Sequence, residues 1–149
     1  MTINECCKID VVCCEAGTPI PEVAALMRAH HVGDIVVIEN RDGMRFPVGI
    51  VTDRDLVVEI MAVQLDPKVF TAGDIMSAPV ATVAEDEDAI ETLRLMRSYK
   101  VRRLPAVTAA GALFGIVTAD DLVSMLIAEL SGMAGALVDQ RSREAHLRR

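Results

Sequence analysis

Apolar residues recur along the chain in two rhythms, and both rhythms are written twice. From Ile20, apolar side chains fall at Val23, Ala24 and Met27, the i, i+3, i+4, i+7 spacing of a helix with one buried face. Ala89, Ile90, Leu93 and Met96 repeat that stripe. After each helix comes a short apolar run, IVVIE at 35–39 and LPAVT at 104–108. A Gly-containing turn and a second run follow, VGIVT at 48–52 and LFGIVT at 113–118. Runs of this length, bounded by turn residues, read as buried strands. A second helix then starts in each copy, DRDLVVEIMA at 53–62 and ADDLVSMLIAEL at 119–130. Short extended segments at 11–13 and 81–83 precede the first helices. Thr18 is placed as the N-cap of the first helix, with Pro19 in its first turn.

Aligning Met27 with Met96 sets the two copies 69 residues apart, and the offset falls to 66 at Gly49 and Gly115. The first copy therefore carries three extra residues within ENRDGMRFPV, expected in a hairpin loop. The unit is β-α-β-β-α, about sixty residues, too small to bury both faces of its own sheet. Two copies packed face to face with pseudo-two-fold symmetry solve this and leave a pair of equivalent clefts. The fold class is α/β (α+β). The first repeat is set at 4–64. The second, with its linker LDPKVFTAGDIM, is set at 65–130. Residues 131–149 form a C-terminal extension, helical or frayed, because Gly132 and Gly135 weaken a helix there.

Composition narrows the functional classes. Of 149 residues 52% are hydrophobic and only 3% aromatic, so the core is aliphatic and base stacking has few side chains to use. The net charge of −7 argues against a general nucleic-acid or anionic-membrane surface. AEDEDAIE at 84–91 reads as a solvated helix start and RSREAHLRR at 141–149 as an exposed basic tail. No apolar run approaches a membrane span, and the N-terminus lacks the build of a signal peptide, so the cytoplasm is expected. The cysteines form two adjacent pairs, Cys6–Cys7 and Cys13–Cys14. Neighbours on a strand point to opposite faces, so neither pair offers two ligands to one metal. They read as reduced, small hydrophobes. His30 and His31 suit a helix C-terminus and have no partnering ligand set, so no metal site is expected. No nucleophile–base–orienter set and no Walker-type glycine loop is present, which argues against an enzyme.

The two junctions GIVTDRDL (49–56) and GIVTADDL (115–122) share six of eight letters. Thr52 and Thr118 are placed to cap the helices that follow, with Asp55 and Asp121 one turn on. In VRRLPAV (101–107), Arg102 and Arg103 stand at the entrance of a strand beside the Thr118 helix start, whose N–H groups favour an anion. The equivalent positions in the first copy are Gly33 and Asp34, and a carboxylate there opposes phosphate. The stronger anion site is therefore expected at Arg102, Arg103, Thr118 and Asp121.

The repeat, the paired GIVTxxD signatures, VRRLPAV and DIMS (74–77) together resemble the tandem cystathionine-β-synthase (CBS) domain pair. This Bateman module, here of the stand-alone bacterial type, is matched over about residues 4–130. The resemblance implies a non-catalytic regulatory module. It would bind an adenosine-containing nucleotide (AMP foremost, or ADP, ATP, NAD or S-adenosylmethionine) in the clefts and signal to an unknown protein target by conformational change. It also implies a homodimer through the CBS modules, with no required cofactor. The Thr52 and Thr118 hydroxyls would then meet phosphate or ribose, and the Asp55 and Asp121 carboxylates the ribose diol. Arg102 and Arg103 would hold phosphate. Val80, Ile35, Pro105, Val12 and Leu104 would supply walls, and Thr18 a further polar contact. The alternative is a degenerate CBS pair serving as a dimerisation scaffold.

Overall fold

In a computed structural model the chain is described over residues 1–147. β1 (Cys13–Glu15) leads into α1 (Ile20–His30), β2 (Asp34–Arg41) and β3 (Met44–Thr52). α2 starts as an α-turn at Asp53–Asp55 and continues as a π-helix over Leu56–Met61. After a 3-10 turn at Pro67–Val69 come α3 (Ala72–Ile75), β4 (Val83–Ala84) and α4 (Ala89–Tyr99). β5 (Arg103–Val107), β6 (Leu113–Thr118) and α5 (Ala119–Leu147) complete the order. Each repeat builds a three-stranded sheet, β1-β2-β3 or β4-β5-β6, with the first pair parallel and the second antiparallel. The β-α-β-β-α unit thus occurs twice, as the apolar rhythm predicts. Even the register shift in each hairpin recurs, between Val37 and Ile38 and between Ala106 and Val107.

Several local expectations are corrected. Pro19, not Thr18, is the N-cap of α1, and it caps without a side-chain bond. The Thr18 carbonyl instead accepts the Ala72 N–H at 2.8 Å, which commits Thr18 to the turn before the helix. The three extra residues lengthen the first hairpin rather than its loop. Pairing runs on to Arg41 and Met44, and Asp42 and Gly43 turn the chain at φ of 52° and 79°. A two-residue Asp-Gly turn with both φ positive matches strand twist. In α4 the buried stripe is Ala89, Thr92 and Met96, while Ile90 is exposed. Thr92 tolerates burial because its hydroxyl donates to the Asp88 carbonyl at 2.8 Å. α5 does not fray at Gly132 or Gly135. The Ala, Leu and Met residues around them outweigh the ~1 kcal/mol each glycine costs. By length and composition α5 is apolar enough to cross a membrane, against the expectation that no run approaches a span. Residues 141–147 of the basic tail belong to α5, and Arg148 and Arg149 lie outside the described residues.

The core has three compartments. Cys14, Val23, Met27, Ile35, Val37 and Val51 fill the space between the first sheet and its helices. Val83, Ala89, Met96, Leu104, Ala106, Val117 and Leu122 do the same for the second. Between the sheets lie Val36, Ile38 and Ile116. β2 alternates its side chains between helices and opposing sheet, so both of its faces are dry. This is the face-to-face arrangement expected of two half-covered sheets.

The segments leading into the repeats cross over. Ile3, in a 3-10 turn at Ile3–Glu5, is fully buried in the second repeat's core and donates its N–H to Glu87 at 3.0 Å. Lys8 and Ile116 exchange two backbone hydrogen bonds, at 3.0 and 2.9 Å. Reciprocally, Ala72 is buried in the first repeat's core, and Ser77 and Ile50 exchange bonds at 2.9 and 3.3 Å. Ile3 and Ala72, like Lys8 and Ser77, stand 69 residues apart. Cys6 and Cys7 therefore follow a turn rather than lie on a strand, and they pack on the second core. All four cysteines are free, and burial pushes each thiol pKa upward.

Candidate functional site

The crossed lead-ins leave one cleft on each side of the inter-sheet core. The first, of about 460 Å³, has Val11, Val12 and Ile116 as its apolar floor. Lys8 and Asp10, His31 to Asp34, and Thr118, Asp120 and Asp121 form its walls. The second, of about 730 Å³, is lined by Val80, Ala81, Val101, Leu104 and Ile50. Thr52, Asp53, Arg54, Ser77, Tyr99 and Lys100 stand at its polar margin. Both volumes suit a drug-sized ligand.

Each cleft is entered by a strand–helix junction, and the junctions differ in how they spend their carboxylates. At Thr52 the capping is reciprocal. The Asp55 N–H donates to the Thr52 hydroxyl at 3.2 Å, and the Thr52 N–H donates to the Asp55 carboxylate at 2.8 Å. That bond turns Asp55 toward the backbone and out of the cleft lining, and Asp53 lines it instead. At Thr118 the Asp121 N–H donates to the hydroxyl at 3.1 Å, and the hydroxyl donates onward to the Asp121 carboxylate at 2.8 Å. Asp121 keeps its place in the lining.

The arginines are placed differently from the sequence expectation. Arg102 and Arg103 line both clefts rather than the Thr118 cleft alone. Arg103 pairs with Asp34, and Arg102 with Asp120 at 3.2 Å on an exposed rim. Asp34 is in register with Thr52 across the β2–β3 ladder, yet its side chain lines the Thr118 cleft. It therefore does not confront a ligand beside Thr52. Val80 and Leu104 line the Thr52 cleft and Val12 the Thr118 cleft, whereas Ile35 and Pro105 are fully buried in the core. Thr18 lines neither.

Lys8, Asp10, Arg54, Ser77, Tyr99 and Lys100 went unnoticed in the sequence. A signal for them existed. At an offset of 69, Lys8–Val12 maps onto Ser77–Ala81 and His31 onto Lys100, so equivalent stretches meet equivalent clefts. His31 and Lys100 are both left-handed helix C-caps, at φ of 52° and 57°, and this aims the chain into the next strand.

Known proteins share this architecture. A family model for the CBS domain matches residues 3–62 and again 72–128. An uncharacterised protein of Methanopyrus kandleri is 37% identical over 125 residues, 84% of this chain, and the chain spans only 62% of that relative's length. Hypoxic response protein 1 of Mycobacterium tuberculosis is 30% identical over 84% of this chain and 85% of its own. A Hypoxic Response Protein I solved with two coordinated zinc ions superposes with a TM-score of 0.71, at 30% identity, over 83% of this chain and 98% of its own. Among the described residues of this chain, no three His, Cys, Asp or Glu side chains converge as a metal ion requires. A CBS domain pair solved with 5′-methylthioadenosine and S-adenosyl-L-methionine shares the fold at a TM-score of 0.72 and 21% identity, over 85% and 99% of the two chains. With two matched repeats stacked about two inter-sheet clefts, the chain belongs to the CBS-domain family, as a tandem pair.

Proposed function

We propose that this CBS pair senses an adenosine-containing nucleotide in its inter-repeat clefts and passes the bound state to a protein target. The observation that carries this reading is the meeting, in each cleft, of an apolar floor, a Thr-bearing strand–helix junction and the two arginines. A nucleoside phosphate needs those three surfaces: apolar for the base, hydrogen-bonding for the ribose, cationic for the phosphates. Tyr99, Val80 and Val101 offer the base platform beside Thr52, and Val11, Val12 and Ile116 the one beside Thr118. Asp121 supplies a ribose acceptor. AMP is the smallest nucleotide that uses all three surfaces, with ADP, ATP and NAD as longer candidates. The neighbour solved with two adenosine-containing ligands supports the adenosine moiety as the common element. The role is regulatory rather than catalytic. Free, largely inward thiols suit the reducing cytoplasm.

The functional unit is a homodimer. Val57 and Met61 on α2 are exposed, and so are their repeat equivalents Val123 and Ile127 on α5. A two-fold axis between two chains covers both patches at once. This apolar face is also the observation that favours the scaffold reading, in which dimerisation is the whole function.

The two readings separate in a melting experiment with AMP, ADP, ATP, NAD and S-adenosylmethionine. A native-state ligand at a hundred times its Kd adds about 2.7 kcal/mol of stability. At least one ligand is expected to raise the melting temperature. No shift with any of them leaves only the scaffold.

A further inference from the structure

Asp34 and Arg103 hold the same position in the two repeats, 69 residues apart, at the first residues of β2 and β5. Their side chains meet in an ion pair across the pseudo-two-fold axis, with Arg103 37% exposed and Asp34 12%. Arg103 lines both clefts, whereas Asp34 lines only the Thr118 cleft. Arg103 is the one hydrogen-bond partner of the Asp34 side chain among the described residues. Arg103 is thus shared by two binding spaces, and Asp34 holds it from the Thr118 side.

The remaining charges are unequal. Beyond the two shared arginines, the Thr52 cleft holds Arg54 and Lys100 against Asp53. Neither Arg54 nor Lys100 takes part in an ion pair among the described residues. The Thr118 cleft holds Lys8 and His31 against Asp10, Asp34, Asp120 and Asp121, of which Asp34 and Asp120 are paired with the shared arginines. An anion therefore meets a net positive wall beside Thr52 and a net negative one beside Thr118.

We propose that Arg103 is a charge shared between the clefts: phosphate in the Thr52 cleft draws it from Asp34, and the released carboxylate bars phosphate from the Thr118 cleft. This rests on the adenosine-nucleotide reading of the same site and reverses the assignment of the stronger phosphate site made from sequence. The pair is made through one Arg103 nitrogen, Nη1, and one Asp34 oxygen, Oδ1, and a multiply charged phosphate competes for that guanidinium against a single carboxylate charge. Released Asp34 then faces a cleft that holds three further carboxylates. Each chain then binds one phosphorylated nucleotide, beside Thr52. The Thr118 cleft is left for a nucleoside that carries no phosphate or carries positive charge.

The test is calorimetric titration of ADP, and separately of inorganic pyrophosphate, into the full chain and its Asp34→Asn and Lys100→Ala variants, with melting curves to confirm folding. Wild type is expected to bind one ADP per chain. Asp34→Asn, which frees Arg103, is expected to bind about fivefold tighter or more and to gain a second equivalent. Lys100→Ala is expected to weaken binding about tenfold. Two equal ADP sites in wild type, or an Asp34→Asn variant indistinguishable from wild type, overturns the shared charge while the nucleotide reading stands. Unchanged affinity in Lys100→Ala overturns the placement beside Thr52. If pyrophosphate follows the expected pattern and ADP does not bind, the shared charge stands and the adenosine reading falls. If neither binds, both fall.

Discussion

Gly115 and Gly49 show why the repeated signature begins with glycine. A Cβ on Gly115 would lie 2.6 Å from the Lys8 carbonyl oxygen and 2.6 Å from the Cys7 sulfur. On Gly49 it would lie 2.8 Å from Cγ of Met76. The obstacle at Gly115 includes backbone, while at Gly49 it is a flexible side chain. Gly115→Ala is therefore expected to cost about 1–3 kcal/mol in urea denaturation, and Gly49→Ala less. Equal losses would show that the lead-in yields as readily as a methionine. The glycines were visible as part of a motif, but their cause was not, because it lies in a segment more than a hundred residues away in one case. Cys7 belongs to the same crossing. Burial, then Cys6, Asp121 and Glu85, push its thiol from 9.0 up to about 11. An acid whose folded pKa is raised stabilises the fold fully below its unfolded value and loses that contribution as pH rises through the folded one. The melting temperature of the wild type should therefore fall more steeply than that of Cys7→Ser between pH 9 and 11, with parallel curves below pH 9.

At the scale of elements, α5 separates what the apolar rhythm could tell from what it could not. Periodicity placed both helices and the hairpin strands of each repeat, because burial against a sheet imposes spacings of 3.6 and 2. The first strands, however, begin at Cys13 and Val83, two residues past the start of the segments expected at 11–13 and 81–83. The apolar rhythm left residues 131–149 open as helical or frayed, because the glycines were weighed without the helix formers on either side, and the helix runs on to Leu147. Past Leu122, which is buried, Val123, Ile127, Leu130, Ala134 and Leu137 follow one another at alternating spacings of four and three. That is the a/d spacing of a coiled-coil seam over two heptads, and Leu130 and Leu137 are 65% and 61% exposed. In the proposed homodimer, the second copy that covers α2 and the start of α5 would also meet this seam. Replacing both Leu130 and Leu137 with Glu is expected to weaken dimerisation at least tenfold in sedimentation equilibrium, since each buried leucine contributes about 1.5–3 kcal/mol. An unchanged dimer would confine the contact to α2 and the first turns of α5. The candidate site was legible in part for a related reason. Sequence repeats name equivalent positions, and Thr52, Thr118 and Asp121 reached their clefts. Which charge meets which depends on side-chain direction across the pseudo-axis, so the partners of Arg102 and Arg103 were not legible.

The whole molecule is two repeats that hold each other by their leading segments. Ile3 completes the core of the second repeat and Ala72 that of the first, so neither core is whole within its own stretch of chain. Unfolding is expected to follow a single cooperative transition by both circular dichroism and tyrosine fluorescence, and two separated transitions would show independent halves. The connection between the repeats, residues 62–69, is exposed throughout and carries none of these contacts between cores. A chain cut there would remain one body, each fragment gripping the other by its first residues. The pair is in effect a domain-swapped dimer whose two subunits have been spliced end to end. A one-repeat forebear built this way could not have closed its core alone, and it would have entered the world already as a couple.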